Sequence, residues 1–298
     1  MSAGPAPDNT AMHRSLGKYA SALKEFASSP SNFRILHSLP STALPTPKTL
    51  YVLDSSFNPP TLAHLSIATE ALLRDTQPSP SPKRLLLLLS TQNADKAPRP
   101  ASFDQRLAMM QIFASDIHSN IASQSSSAKA EEIGIDIGVT KLPYFVDKAV
   151  AISESDAYPS SIQQVHLTGF DTLIRILDPK YYPPEKKLSI LDPFLEKHRL
   201  MVTYRTDDEW GAKQVQDEYL DNLAKGKREQ DGGKKEWVTE GRIVMCAGKQ
   251  EGEETISSTK VREAVKKDDR QRLKRLLSDG VAQYVLKEKL YLETWNKD

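Results

Sequence analysis

"TLYVLDSSFNPPTLAHLSIATEALLRD", Thr49 to Asp75, holds an apolar run of strand length, a turn carrying two prolines, and then a helical pattern. A continuous apolar run bounded by turn formers suits a strand buried on both faces, which implies a parallel sheet with helices on each side. The alternation recurs outward from this stretch. "RLLLLLS" leads into "SFDQRLAMMQIFASDI", and "QQVHLTG", "RLMVTY" and "RIVMCA" supply further runs. Repeated strand–helix units predict a doubly wound α/β fold with a parallel sheet, whose ligands sit just past the carboxyl ends of the strands.

The turn itself, Ser55 to His64, therefore stands where ligands are expected. Unpaired helix amides there attract anions. Pro59 and Pro60 fix φ and lack N–H donors, which suits a helix start. Thr61 and His64 fall one turn apart, where a hydroxyl and an imidazole can both donate to one phosphate. Thr61 could equally cap the helix while His64 packs.

The 298 residues carry a net charge of +1, so no whole-molecule pull toward nucleic acid or acidic membranes is expected. The single cysteine, Cys246, has no internal disulfide partner and sits in an apolar run. No stretch approaches the roughly 20 apolar residues of a membrane helix, and the start lacks a secretory core. Cytoplasm or nucleus is the expected location. Residues 1–46 read as an N-terminal extension whose Leu16, Tyr19, Leu23 and Phe26 recur at helical spacing, before a single domain over 47–298. Two insertions are expected: a Ser-rich, mobile one at about 119–132 and a charged, partly helical one at 207–236.

Ser56-Phe57-Asn58-Pro59 with Thr61 and His64 resembles the signature of the nucleotidyltransferase superfamily related to class I tRNA synthetases. Its Thr-x-x-His form resembles that of nicotinamide mononucleotide (NMN) adenylyltransferases, in a divergent, fungal-like branch. "ISSTKVREAV", Ile256 to Val265, resembles the Ile-Ser-Ser-Thr-x-x-Arg motif of the same family. Hydroxyl and backbone donors at a helix start, with Lys260 and Arg262 beside them, suit a triphosphate or departing pyrophosphate. Between the signatures, Lys96 matches a phosphate-contacting lysine, against a merely solvated loop charge, and Arg106, early in the next helix, could position that loop or equally be a surface charge. Gly169 and Asp171 match a Gly-x-Asp element that admits a nucleotide and accepts from ribose hydroxyls or an amine.

The resemblance runs from about Thr49 to Tyr291 and departs from the pattern on the ring-binding side. Phe170 stands where a small residue is usual and is expected to reshape the pocket. Tyr181 or Tyr182 replaces the tryptophan that stacks the nicotinamide ring, and Tyr144 and Phe145 stand where a second tryptophan-bearing stretch belongs. Ser55 replaces a glycine.

What the resemblance implies is a Rossmann-like nucleotidyltransferase fold and transfer of the adenylyl group of ATP to NMN, giving NAD. Thr61, His64 and Arg262 would be catalytic. Ser55, Ser56, Phe57, Lys96, Gly169, Asp171, Ser258, Thr259 and Lys260 would join His64 and Arg262 in binding the nucleotide. Mg²⁺ would arrive with ATP, with no protein metal ligands. Another phosphate-bearing acceptor or CTP, and an ATP-binding or ATP-hydrolysing regulatory protein with a partner docked on 207–236, stay open, as does a homo-oligomer.

Overall fold

The computed structural model describes residues 9–41, 44–75, 82–92, 101–125, 130–205, 210–246 and 255–292. Among the described residues, seven strands form one sheet in the order β1-β4-β3-β2-β5-β6-β7. They are β1 (Phe33–Leu39), β2 (Thr49–Asp54), β3 (Lys83–Ser90), β4 (Gly134–Thr140), β5 (Gln163–Gly169), β6 (Arg199–Thr203) and β7 (Ile243–Cys246). Every neighbouring pair is parallel except β1 with β4.

From β2 the chain winds through β3 to β4 on one side, then returns to lay β5 against the other edge of β2. The switch point therefore lies between the carboxyl ends of β2 and β5, where an open α/β sheet forms its crevice. Leu85 to Leu89 are fully buried. Their odd members join Tyr51 and Leu53 in one core layer, while Leu86 and Leu88 join Leu50 and Val52 in the opposite one, the period of a strand covered on both faces.

Helices cover both faces: α1 (Asn9–Ser28), α2 (Leu62–Arg74), α3 (Phe103–Gln124), α4 (Phe145–Ser153), α5 (Phe170–Ile176), α6 (Asp192–Lys197), α7 (Lys213–Ala224), α8 (Glu236–Thr239), α9 (Ser258–Lys266), α10 (Arg270–Leu276) and α11 (Asp279–Lys287). None of the described helices is long and apolar enough to cross a membrane. Cys246 is half-buried at the end of β7, where burial pushes its thiol up to about 11.

The described part of the N-terminal extension packs on the main domain through the face its helical spacing marks. Tyr19 and Phe26 of α1 are buried in the main core, the Tyr19 hydroxyl donates to Gln111 Oε1 at 2.9 Å, and β1 supplies the antiparallel edge. The Ser-rich stretch is corrected. Residues 119–124 continue α3 with Ile121 fully buried, while 126–129 lie outside the described residues. Within the charged stretch α7, and just past it Trp237, pack into a second core with Phe170 and Phe194.

Candidate active site at the switch point

Asp54 ends β2 in a buried ion pair with Lys148 of α4, and the chain then turns through Ser55, Ser56 and Phe57 into α2. Phe57 has φ +44°, a left-handed conformation that costs a bulky residue about 1–2 kcal/mol. Its fully buried ring, packed on Phe113 and on His64 with centroids 6.5 and 5.5 Å away, holds it there.

Thr61 is the N-cap of α2, and His64 stands at N3, where a capping box commonly places Glu or Gln. The Thr61 N–H donates to His64 Nδ1 at 3.0 Å, and the Thr61 hydroxyl lies 2.8 Å from the same nitrogen. Two donors on Nδ1 leave the imidazole proton on Nε2, which faces the Ser55 hydroxyl at 2.9 Å. Burial, with the positive charge of Arg205 second, lowers the His64 pKa to about 4. The imidazole is thus neutral and donates from Nε2. Thr61 is itself buried and turned toward Nδ1, so in this structure it orients the histidine from behind.

The two signatures meet directly. The Ser258 hydroxyl donates to the Pro59 carbonyl and Arg262 Nη1 to the Asn58 carbonyl, each at 2.8 Å, across 199 and 204 residues of chain. Arg262 Nη2 also donates to Thr259 Oγ1 at 3.0 Å. Ser257 is the N-cap of α9, its hydroxyl accepting from the Lys260 N–H at 3.3 Å. Thr259 and Ser56 are exposed beside this junction. Asn58 Oδ1 accepts from the Ala101 N–H at 2.7 Å and the Tyr291 hydroxyl at 2.8 Å, so one side chain ties the turn to the start of α3 and to the chain's last described segment. Arg106 is buried, its Nε donating to the Ala101 carbonyl at 2.8 Å. It positions that loop. Lys96 lies outside the described residues.

Across the switch point, Gly169 caps α5 in extended backbone. A Cβ there would meet Asp171 Oδ1 at 2.6 Å, so any other residue would push that carboxylate from its present position. Asp171 lies between Arg175 at 3.4 Å and Arg205 at 3.3 Å.

The ring-binding side differs from expectation. Phe170 is buried in the second core, with its ring edge-on to Tyr219 at 5.7 Å. Tyr182 packs against the same core, and its hydroxyl donates to the Ile176 carbonyl at 2.6 Å. Tyr181 remains exposed, under the Lys180 ammonium at 4.9 Å from its ring. Tyr144 is exposed at the start of α4, while Phe145 packs on His166 at 5.5 Å. Sequence reasoning passed over Arg205 and gave Asn58 no side-chain role. Arg205 had a signal, since it stands just past the run "RLMVTY".

No protein-family model matches the chain. A protein of Schizosaccharomyces pombe (strain 972) described as "Putative nicotinamide mononucleotide adenylyltransferase" is 36% identical over 208 residues, 70% of this chain and 72% of that protein. Among solved structures, Plasmodium falciparum nicotinic acid mononucleotide adenylyltransferase, complexed with NaAD, matches with a TM-score of 0.51 at 14% identity, covering 82% of this chain and 97% of that one. The second likeness shows a common nucleotidyltransferase fold. Together with the joined signatures at the switch point, the first shows that the chain belongs to the nicotinamide mononucleotide adenylyltransferase family.

Proposed function

We propose that the protein transfers the adenylyl group of ATP to the 5'-phosphate of NMN, giving NAD and pyrophosphate. The observation that carries this reading is the hydrogen-bonded junction of Ser258 and Arg262 with the Pro59 and Asn58 carbonyls, beside a neutral histidine that donates from Nε2. An oxygen of the accepting phosphate attacks the α-phosphorus in line, and the bond to the bridging oxygen of pyrophosphate breaks. No side chain needs to act as nucleophile. Catalysis is positioning plus stabilisation of charge on phosphoryl oxygens.

His64 Nε2–H donates to the α-phosphate as charge shifts there, with Thr61 fixing its tautomer. Arg262 and the N-terminus of α9 hold the departing phosphates, and Asp171 accepts from the nucleotide's ribose hydroxyls or amine. Tyr181 is the exposed face on which a planar ring can stack. Mg²⁺ enters as the partner of the ATP phosphates, part of the substrate.

The test mixes the protein with ATP, Mg²⁺ and NMN and follows NAD and pyrophosphate by chromatography. Nicotinic acid mononucleotide and other phosphorylated acceptors run in parallel. NAD is expected from wild type, and His64→Ala should lose about 10²- to 10³-fold in kcat, the scale of one lost oxyanion donor. ATP consumption without NAD would move the acceptor to another member of the panel. Near-normal turnover in His64→Ala would remove the histidine from the mechanism.

A further inference from the structure

The charged stretch 207–236 has so far only filled a core, yet its helix grips the site. Arg205 stands just past β6, and its Nε lies 3.3 Å from Asp171 Oδ1. Its main chain is held by a single side chain of α7. Gln216 is fully buried. Its Oε1 accepts the Arg205 N–H at 3.0 Å, while its Nε2 donates to the Arg205 carbonyl and to the Gly211 carbonyl at 3.1 Å. A buried amide with acceptor and donor both engaged on one residue's main chain fixes that residue much as a paired strand would. The preceding residue is held by the same helix, since the Tyr204 hydroxyl donates to Asp217 and the Lys213 ammonium lies 4.9 Å from the Tyr204 ring.

In-line transfer has two phosphate groups to hold on opposite sides of the α-phosphorus, the departing pyrophosphate and the accepting monophosphate. Arg262 reaches the turn after β2 from α9. Arg205 comes from the other flank, past β6 and beside the Gly169–Asp171 turn. Asp171 sits between two guanidiniums, so the Arg175–Asp171–Arg205 trio carries net positive charge. A Cβ at Gly169 would lie 3.5 Å from Arg205 Cδ, so the arginine side chain runs past the glycine face of this turn.

On the adenylyl-transfer reading above, we propose that Arg205 is the cation that binds the accepting phosphate and that Gln216 is the positioning residue that holds it there. The charge of Arg205 is also felt at His64, which places it within electrostatic reach of the transferred group.

Steady-state kinetics of wild type, Arg205→Ala, Gln216→Leu and the double variant, with NMN and ATP varied separately, test this alongside thermal melts. Arg205→Ala should raise the KM for NMN about tenfold or more and that for ATP less than about threefold, the signature of binding lost at one substrate. Gln216→Leu should raise the NMN KM about three- to tenfold in the wild-type background and less than about twofold on Arg205→Ala, because residues acting through one another are non-additive. Its effect on Tm should be alike in both backgrounds. Equal factors in the two backgrounds would show that Gln216 merely supports the fold. An unchanged NMN KM in Arg205→Ala, with wild type making NAD, overturns the proposal alone; a wild type that joins no mononucleotide to ATP overturns the transfer reading with it.

Discussion

Ser55 occupies a position where the resembled family carries glycine, and its hydroxyl is the resting partner of His64 Nε2 at 2.9 Å. On the proposed reading, a phosphate oxygen arriving at the site would take over that donor, exchanging one hydrogen bond for a charge-assisted one. Charge-assisted bonds are roughly twice as strong, so the exchange runs forward. Ser55→Ala should therefore change kcat/KM by less than about tenfold, because a neutral hydrogen bond contributes only about 0.5–1.5 kcal/mol net. A loss as large as that of His64→Ala would mean that Ser55, with the histidine behind it, is the group touching phosphate. The two variants measured side by side decide the order of contact. Thr61 belongs to the same line. Its role as a cap was one of two readings open in the sequence, and the capping box shows how it serves His64: a residue at N3 must face back toward the N-cap.

Among the elements, β2 and α2 could be read from their own residues because their signals are local: an unbroken apolar run, prolines, a cap. β4 is harder. Gly134, Asp136 and Gly138 interrupt its apolar pattern, and each has a tertiary reason to be there. A Cβ at Gly138 would lie 2.9 Å from Leu86 Cδ1 and 3.0 Å from the Phe33 ring. Asp136, fully buried, accepts from Arg84 at 2.5 and 2.7 Å, from Ser38 at 2.6 Å and from Tyr158 at 2.7 Å. Those partners come from β1, β3 and the loop after α4, which a linear pattern does not display. Asp136→Ala should cost about 3–5 kcal/mol of stability, the scale for breaking a buried pair and stranding its partner. Urea unfolding would measure it, and a loss below about 1 kcal/mol would show the pair to be energetically idle. Gln216 was illegible for the same reason, being a glutamine in a charged helix whose partners are the backbone of another segment. β1 and the end of α3 hid behind mixed composition, although Ile117 and Ile121 keep helical spacing into the Ser-rich tract.

At the scale of the whole molecule, folding keeps buried histidines neutral. His64 and His198 are held down to about 4, and His166 lies well below its ordinary range. Burial is the largest cause in each, followed by Arg205 for His64, Lys197 for His198, and His198 with Lys148 for His166. Unfolded, they take up protons near pH 6.5. Between that pH and about 4 the unfolded chain binds more protons, so this contribution is complete above about 6.5 and is lost as pH falls. Three such sites give a slope of up to about 4 kcal/mol per pH unit in that window. Urea midpoints should fall steeply between pH 6.5 and 4.5, and a midpoint that stays flat there would contradict the buried neutral state. The dock of α9 on the turn after β2 carries a consequence at the same scale. It closes a chain loop of 199 residues with single hydrogen bonds. On the proposed reading, a nucleotide lying across that seam would be a removable crosslink, drawing on loop-closure entropy as a disulfide does while dissociating at the end of each turnover. On that reading, ATP bound there would then slow the parting of the two signature segments and lengthen the life of the folded chain between rounds of catalysis.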